Sequence, residues 1–483
     1  MRPVVYFSLN DVKKLSWDEC YQTLEGKIAA EYQRHGYLAD SAALSEIERA
    51  QFGRVLRKEG VYDDVASSLR QLTLYLRKHH NRNVVVLIDE YDAPIMAAHT
   101  YGYYREAVGF IKGWRTGALK DGGAALEFAC LTGVQRIAKE SIFSDLNNIA
   151  VDTPLDTESD ERFGFTRGEV AALADYLGHP HRYGEVREWY DGYRFGDADI
   201  YNPWSVLNYF SKRCRPDVYW ANTASNAVVA DAVRASNGAG FRDVCRLLQP
   251  GGTIARPLDM EVVFPESGAT GDILWSMLYL AGYLTTDDIE SPGDRYRVRR
   301  LRIPNKEIAQ VFRGEVIERF REVAGGAGRL LELHEVLVAG DAAVVEAELA
   351  RILATSPSVR DLVRENSYHM LMTGLLFGVP GYGDPRSNRE EGRGYYDLRI
   401  APEGQYGQPV PEDLPVVTVE LKVLGRSDAP HDGEALAARL AEVAREGLDQ
   451  INRQRYDCEA PGGCLRYGVA FCGKDVAVAC ARG

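Results

Sequence analysis

Two short segments near the C-terminus hold the residues best suited to chemistry: Asp397 in Gly-Tyr-Tyr-Asp-Leu-Arg, and Glu420 with Lys422 in Val-Thr-Val-Glu-Leu-Lys-Val. Both read as strands. Side chains two apart on a strand share a face, so Glu420 and Lys422 point one way while Val419, Leu421 and Val423 point the other. Asp397 likewise lies on the face away from Tyr396, Leu398 and Ile400. Two such strands side by side bury their aliphatic faces and offer two carboxylates and one ammonium together. Phosphodiester hydrolysis uses this set. Mg²⁺, or Mn²⁺, is held by one or two carboxylates with waters and substrate phosphate, and it stabilises charge on the phosphoryl oxygens. The lysine orients or deprotonates the attacking water, or acts as a point charge on the developing transition state. For the triplet alone, the competing expectation is an ordinary surface Glu and Lys on a half-exposed strand.

Positioning these groups requires a domain, and the flanking pattern supplies one. Val359 to Phe377 reads as an amphipathic helix containing Glu365, Tyr368 and His369, followed by a Gly/Pro-rich turn and the two strands. Leu436, Leu440, Val443, Gly447, Leu448 and Ile451 mark a second helix, from which Gln450 and Arg453 reach a substrate or the site. Strands around Arg466 to Cys472 and Val476 to Ala479 complete an α/β unit around a mixed sheet. Arg386, Arg389, Arg393 and Arg399 are expected to give local positive charge for phosphate contacts, against solvated surface as the alternative.

The chain has 483 residues, 45% hydrophobic and 26% charged, which predicts two or three domains of ordinary soluble composition. A net charge of −13 excludes a protein coated in basic surface, so nucleic-acid contact has to be local. The apolar stretch Ile273 to Leu284 is too short to cross a bilayer, and no signal peptide is visible. Eight scattered cysteines form no Cys-x-x-Cys. Reduced thiols in a cytoplasmic protein are the expectation.

The first segment alternates β and α: a strand at Val4 to Leu9, helical stretches at Trp17 to Gly36 and Ser41 to His79, and a buried strand at Val84 to Ile88. A helix near Tyr103 to Leu119 leads to a strand at Leu126 to Leu131. This order predicts a parallel sheet covered by helices. Val-Val-Val-Leu-Ile-Asp-Glu is a Walker B pattern, with Asp89 placed to hold Mg²⁺, Glu90 to polarise water attacking ATP, and Thr132 to sense the γ-phosphate. No phosphate-cradling loop precedes it. The string from Gly468 to Lys474 is rejected as one, since Asp475 replaces the required Ser or Thr and the flanks continue as strands.

The middle region is mainly helical, with an aromatic turn at Tyr190 to Gly196, a helix opened by Pro203, a strand at Tyr296 to Ile303, and a helix at Ala339 to Thr355. Many ordered segments then resemble one known family. They include Leu87 to Ile95, Leu131 to Val134, Ser141 to Ser144, Asn147-Asn148, Trp189 to Phe195 and Tyr201 to Ser205. Tyr219 to Thr223, Leu301 to Glu307, Glu365 to His369 and Ser387 to Asp397 continue the series. The chain resembles bacterial and archaeal proteins that join an AAA-ATPase-like domain to a C-terminal PD-(D/E)XK nuclease-superfamily domain.

The resemblance implies an α/β chain of three parts: an ATPase-like domain at 1–160, a helical middle region at 161–350 and a restriction-endonuclease-like domain at 351–483. It assigns metal binding to Asp397 and Glu420, catalysis to Lys422, an accessory acidic role to Glu365 and an accessory catalytic role to Gln450. The family's Walker A motif, expected upstream of Val4 with its strand, is absent. A start placed downstream of it is expected, with a degenerate ATPase as the alternative, so ATP remains a doubtful cofactor. A DNA-directed, Mg²⁺-dependent nuclease is the functional expectation, DNA being favoured over RNA. A non-cutting NTP switch or DNA-binding scaffold is the competing class.

Overall fold

The computed structural model describes residues 2–120, 125–134, 149–220, 229–230, 233, 239–260, 271–288, 298–355, 365–391, 394–404, 409–410, 413–454 and 461–483. Of residues 239, 271–272, 365–366, 388–391 and 394–395 it describes the backbone alone. The chain divides into two compact units, the first of Met1–Ser159, Pro257–Gly282 and Ile289–Val298, the second of Asp160–Arg256, Tyr283–Asp288 and Arg299–Gly483. The segments Ser141 to Ser144, Asn147-Asn148 and 221–223, the start of the expected helix at Val359, and Arg393 lie outside the described residues.

In the first unit β1 (Val4–Ser8), β2 (Val84–Asp89) and β3 (Leu126–Leu131) form a parallel sheet in the order β1-β2-β3. Parallel neighbours need long crossovers, and helices fill them. Helix α1 (Trp17–Arg34) opens with Ser16 accepting from the Glu19 N–H. Val84, Val86 and Ile88 pack into one core with Phe7 and Trp114. The stretch Ser41 to His79, expected as one helical run, is three helices: Glu46–Leu56, Tyr62–Ala66 and Ser68–His80. Ser45 starts the first with a capping box to Glu48, and Lys58 at φ +57° breaks the run in a conformation no right-handed helix continues. The outer edge of β1 is sealed by side chains of α1 and its cap: Glu31 Oε1 accepts from the Tyr6 N–H at 2.9 Å, while the Val4 carbonyl faces Arg34 and His35.

The second unit begins with the helical region that the sequence predicts. Two small sheets accompany it: β4 (Phe165–Thr166), β5 (Tyr193–Phe195) and β6 (Ala198–Tyr201) in the order β4-β6-β5, and β7 (Ile254–Pro257), β8 (Thr285–Thr286) and β9 (Val298–Arg302) in the order β7-β9-β8. Buried Glu307 accepts from the N–H groups of Tyr219 and Trp220 at 2.7 Å and from the Ser205 hydroxyl at 2.8 Å. The helix expected over Ala339 to Thr355 begins at Ala342, because Gly340 at φ +85° ends the preceding helix Ala327–Ala339.

The C-terminal part is a five-stranded mixed sheet, β10 (Arg386–Glu391), β11 (Gly394–Ile400), β12 (Val416–Val423), β13 (Cys464–Cys472) and β14 (Asp475–Arg482), in that spatial order. Only β12 and β13 run parallel, and helix α3 (Gly433–Gln454) makes their crossover. Helix α2 (Glu365–Leu375) precedes the sheet. The rejected phosphate-loop string is the β13–β14 hairpin: Cys472 pairs with Asp475 around a turn in which Gly473 has φ +61°. One cysteine corrects the expectation of reduced thiols. Cys464 is disulfide-bonded, whereas Cys20, Cys130, Cys214, Cys245, Cys472 and Cys480 are free. Among the described residues, no helix is long and apolar enough to cross a membrane.

Candidate active site

Strand β12 is Val-Val-Thr-Val-Glu-Leu-Lys-Val, whose β-branched residues suit a pleated sheet interior. Val417, Val419 and Leu421 are buried as expected, but Glu420 on the opposite face is only 3% exposed. The competing expectation of surface charge therefore fails for Glu420, because α3 covers the polar face, while Lys422 is half-buried. Among the described residues the β11–β12 ladder ends at Leu398↔Val419. Beyond it the Leu421 N–H donates to Asp397 Oδ2 at 2.8 Å, so a side-chain carboxylate occupies the next N–H of the ladder. The strands fork where Asp397 and Glu420 stand.

Within this fork Lys422 Nζ lies 3.1 Å from Glu420 Oε1 and 2.7 Å from Gln450 Oε1. The Gln450 amide nitrogen also donates to Glu420 Oε1. Glu420 Oε2 is buried and has no hydrogen-bond partner. A buried, unpaired carboxylate oxygen is costly, and it is the atom a cation would take. Burial, reinforced by the nearby Asp397 charge, pushes the Glu420 carboxyl up to about 7, with Lys422 and the Asp397 main chain opposing. The donor set fits Mg²⁺ or Mn²⁺, which accept one or two carboxylates and complete their shells with water. Among the described residues no group of three or more His, Cys, Asp or Glu side chains could hold a metal. The Glu365 side chain is not among those described, so its expected accessory role stays with the sequence.

Helix α3 reaches the site because its floor is small. Leu440, Val443, Ala444, Gly447 and Ile451 form its buried face. Gly468, beside Glu420 in the β12–β13 register, lies so close that a Cβ there would meet the Ala444 carbonyl oxygen at 2.0 Å and the Leu448 nitrogen at 2.7 Å. Sequence reasoning missed this residue, and its signal was a glycine inside a strand of large residues. The arginines divide. Arg386 is exposed, but Arg399 is 8% exposed, donates to Thr418 Oγ1 at 3.0 Å and stacks on Tyr396 at 4.5 Å. Arg399 is therefore a buried structural residue, correcting its expected place among the phosphate contacts.

In the first unit, the Thr132 hydroxyl donates to Asp89 Oδ1, joining the ends of β2 and β3. Glu90 follows at φ +52°, a conformation unusual for a residue with a Cβ. Its carboxyl is raised by burial and by Asp89 and Asp92, against the opposing charge of Lys13, whose Nζ lies 3.9 Å away. Asp89, Glu90 and Thr132 thus share the carboxyl end of the sheet, where open α/β sheets bind ligands.

Residues 1–143 are similar to a family described as predicted AAA-ATPase. The chain is also similar to an "Uncharacterized protein in vnfD 5'region" of Azotobacter chroococcum mcd 1, with 27% identity over 350 residues. That alignment takes in 71% of this chain and 61% of the relative, so the chain spans less than two thirds of the relative's length. No solved structure matches.

Proposed function

We propose that this chain is a divalent-cation-dependent nuclease that hydrolyses phosphodiester bonds in DNA, its first unit serving as an ATPase-like regulatory module. The observation that carries the reading is Glu420 Oε2: a buried carboxylate oxygen without a partner, beside Asp397, on the strand that presents Lys422. Asp397 and Glu420 would hold Mg²⁺ or Mn²⁺, which when bound supplies positive charge to the phosphoryl oxygens. Lys422, fixed by Gln450, orients the attacking water and adds charge where the transition state is most anionic. The water oxygen bonds to phosphorus and one phosphorus–oxygen bond to sugar breaks, leaving a phosphate end and a hydroxyl end. Residues 351–483 are the nuclease-like domain in this reading, and 1–160 the ATPase-like one. The fork in the β11–β12 ladder supports the first assignment, and the Asp89–Thr132 contact supports the second.

The test is incubation of the purified chain with plasmid, linear and single-stranded DNA and with RNA, in Mg²⁺ or Mn²⁺ and in chelator, with and without ATP. Lys422→Ala and Glu420→Ala run beside it. Cutting by the wild type alone supports the reading, and equal cutting by the variants rejects it. If no protein cuts, ATP binding that is lost in Asp89→Ala would favour the non-cutting switch.

A further inference from the structure

Two consecutive residues of α2 hold strands on either side of β12. Tyr368, 2% exposed, stacks on Phe471 of β13 with centroids 4.5 Å apart, and its hydroxyl donates to the Gly473 carbonyl at 2.8 Å. His369 places Nε2 3.2 Å from the Asp397 carbonyl oxygen on β11. A carbonyl only accepts, so Nε2 carries the proton in this contact. The other ring nitrogen, Nδ1, lies 3.5 Å from Thr373 Oγ1, whose hydroxyl donates to the His369 carbonyl at 2.7 Å.

The contact falls where β11 leaves β12. Beyond Leu398↔Val419 the two strands are no longer joined by ladder pairs among the described residues, and the Asp397 carboxylate takes the Leu421 N–H instead. Asp397 is therefore held from two sides, its carboxylate by β12 and its peptide carbonyl by α2. We infer that His369 is a positioning residue for Asp397, setting the separation of Asp397 from Glu420 that a bound cation must span. This inference rests on the nuclease reading. His369 acts in it through the Asp397 backbone and touches neither cation nor substrate. Residues that orient metal-binding carboxylates in this indirect way typically change metal affinity by roughly 10- to 100-fold when removed.

The test is calorimetric titration of the full chain with Mn²⁺ alone, together with DNA cleavage kinetics, for wild type, His369→Leu, His369→Gln, Tyr368→Phe and Glu420→Gln. His369→Leu should weaken Mn²⁺ binding at least about tenfold and lower kcat at saturating Mn²⁺ while leaving KM for DNA in place. His369→Gln, whose amide nitrogen can reach the same carbonyl, should restore most of both. Tyr368→Phe should lower the melting temperature and keep the Mn²⁺ affinity. Wild-type affinity in His369→Leu, or an equal loss in the Leu and Gln variants, overturns the inference while loss of binding in Glu420→Gln keeps the nuclease reading. Equal binding, or none, by wild type and Glu420→Gln removes that reading and the inference with it. Should His369→Leu fail to fold, His369→Asn, whose amide is too short for the carbonyl, takes its place against His369→Gln.

Discussion

Lys422 donates to Gln450 Oε1 at 2.7 Å, joining a strand to a helix across 28 positions of sequence. The ammonium also faces Glu420 Oε1, so its position is set by both elements. Removing Gln450 leaves the charge and releases its aim.

Gln450→Leu should therefore lower kcat by about 10- to 100-fold, the scale of a misplacement near 1 Å, and weaken Mn²⁺ binding as well, because the Gln450 amide also donates to Glu420 Oε1. Lys422→Met should cost more, roughly 10²- to 10³-fold. Single-turnover cleavage at saturating Mn²⁺ measures both. A Gln450→Leu enzyme as fast as wild type would remove the glutamine from the site's function.

In the proposed site, proton and cation would compete for Glu420. Its carboxyl sits at about 7 in the fold, above the ordinary value of 4.5, through burial first and Asp397 second. A raised value means that protonation favours the metal-free fold. That stability is fully present below pH 4.5 and is lost as pH rises through about 7. Mn²⁺ binding should strengthen over the same window and release a proton, levelling above it. Titrations in buffers of different ionisation enthalpy count the proton, and chelation above pH 7 should lower the melting temperature. Affinity independent of pH between 5 and 7 would contradict this.

Two glycines at one helix–sheet contact, Gly447 on α3 and Gly468 on β13, should respond with opposite signs. A methyl at Gly468 meets helix backbone at 2.0 Å, so Gly468→Ala should force α3 away, lowering both stability and cleavage. A methyl at Gly447 meets Lys422 Cγ at 3.5 Å and Glu420 Cγ at 3.7 Å, ordinary contact distances. Gly447→Ala should gain up to about 1 kcal/mol from helix propensity. Urea denaturation distinguishes them, and a stabilised Gly468→Ala chain would refute the close approach.

Glu90 occupies left-handed backbone beside Asp89. Glu90→Gly and Glu90→Ala both delete the carboxylate, but only glycine relieves the backbone. The Gly variant should be the more stable by about 0.5–1 kcal/mol, the reverse of their order in ordinary helix or strand. Greater stability of Glu90→Ala would show that the left-handed turn is not maintained.

That β1, β2 and β3 form a parallel sheet was legible because short apolar runs alternate with helical spacing, and Glu420 and Lys422 share a face because strand period is two. Breaks were less legible. Lys58 interrupts an expected helical run through its own backbone, for which its residue type carries no signal, whereas Gly340 ends a helix where glycine commonly does. Arg399 read as surface charge because its strand neighbour Thr418 and the stacked Tyr396 are partners only after folding. Depth was hidden for the same reason: nothing in Val-Glu-Leu-Lys says that a helix will lie on the charged face, and Gly468 supplies that space from another strand.

The contact at Gly468 also limits how the centre can be controlled. Helix and sheet meet there main chain to main chain, with no side chain between them to change rotamer and let one slide over the other. The span from Lys422 to Gln450 is accordingly a fixed gauge rather than an adjustable one. Under the proposed nuclease reading, regulation of this centre would act on the entry of cation or substrate rather than on the spacing of helix and sheet.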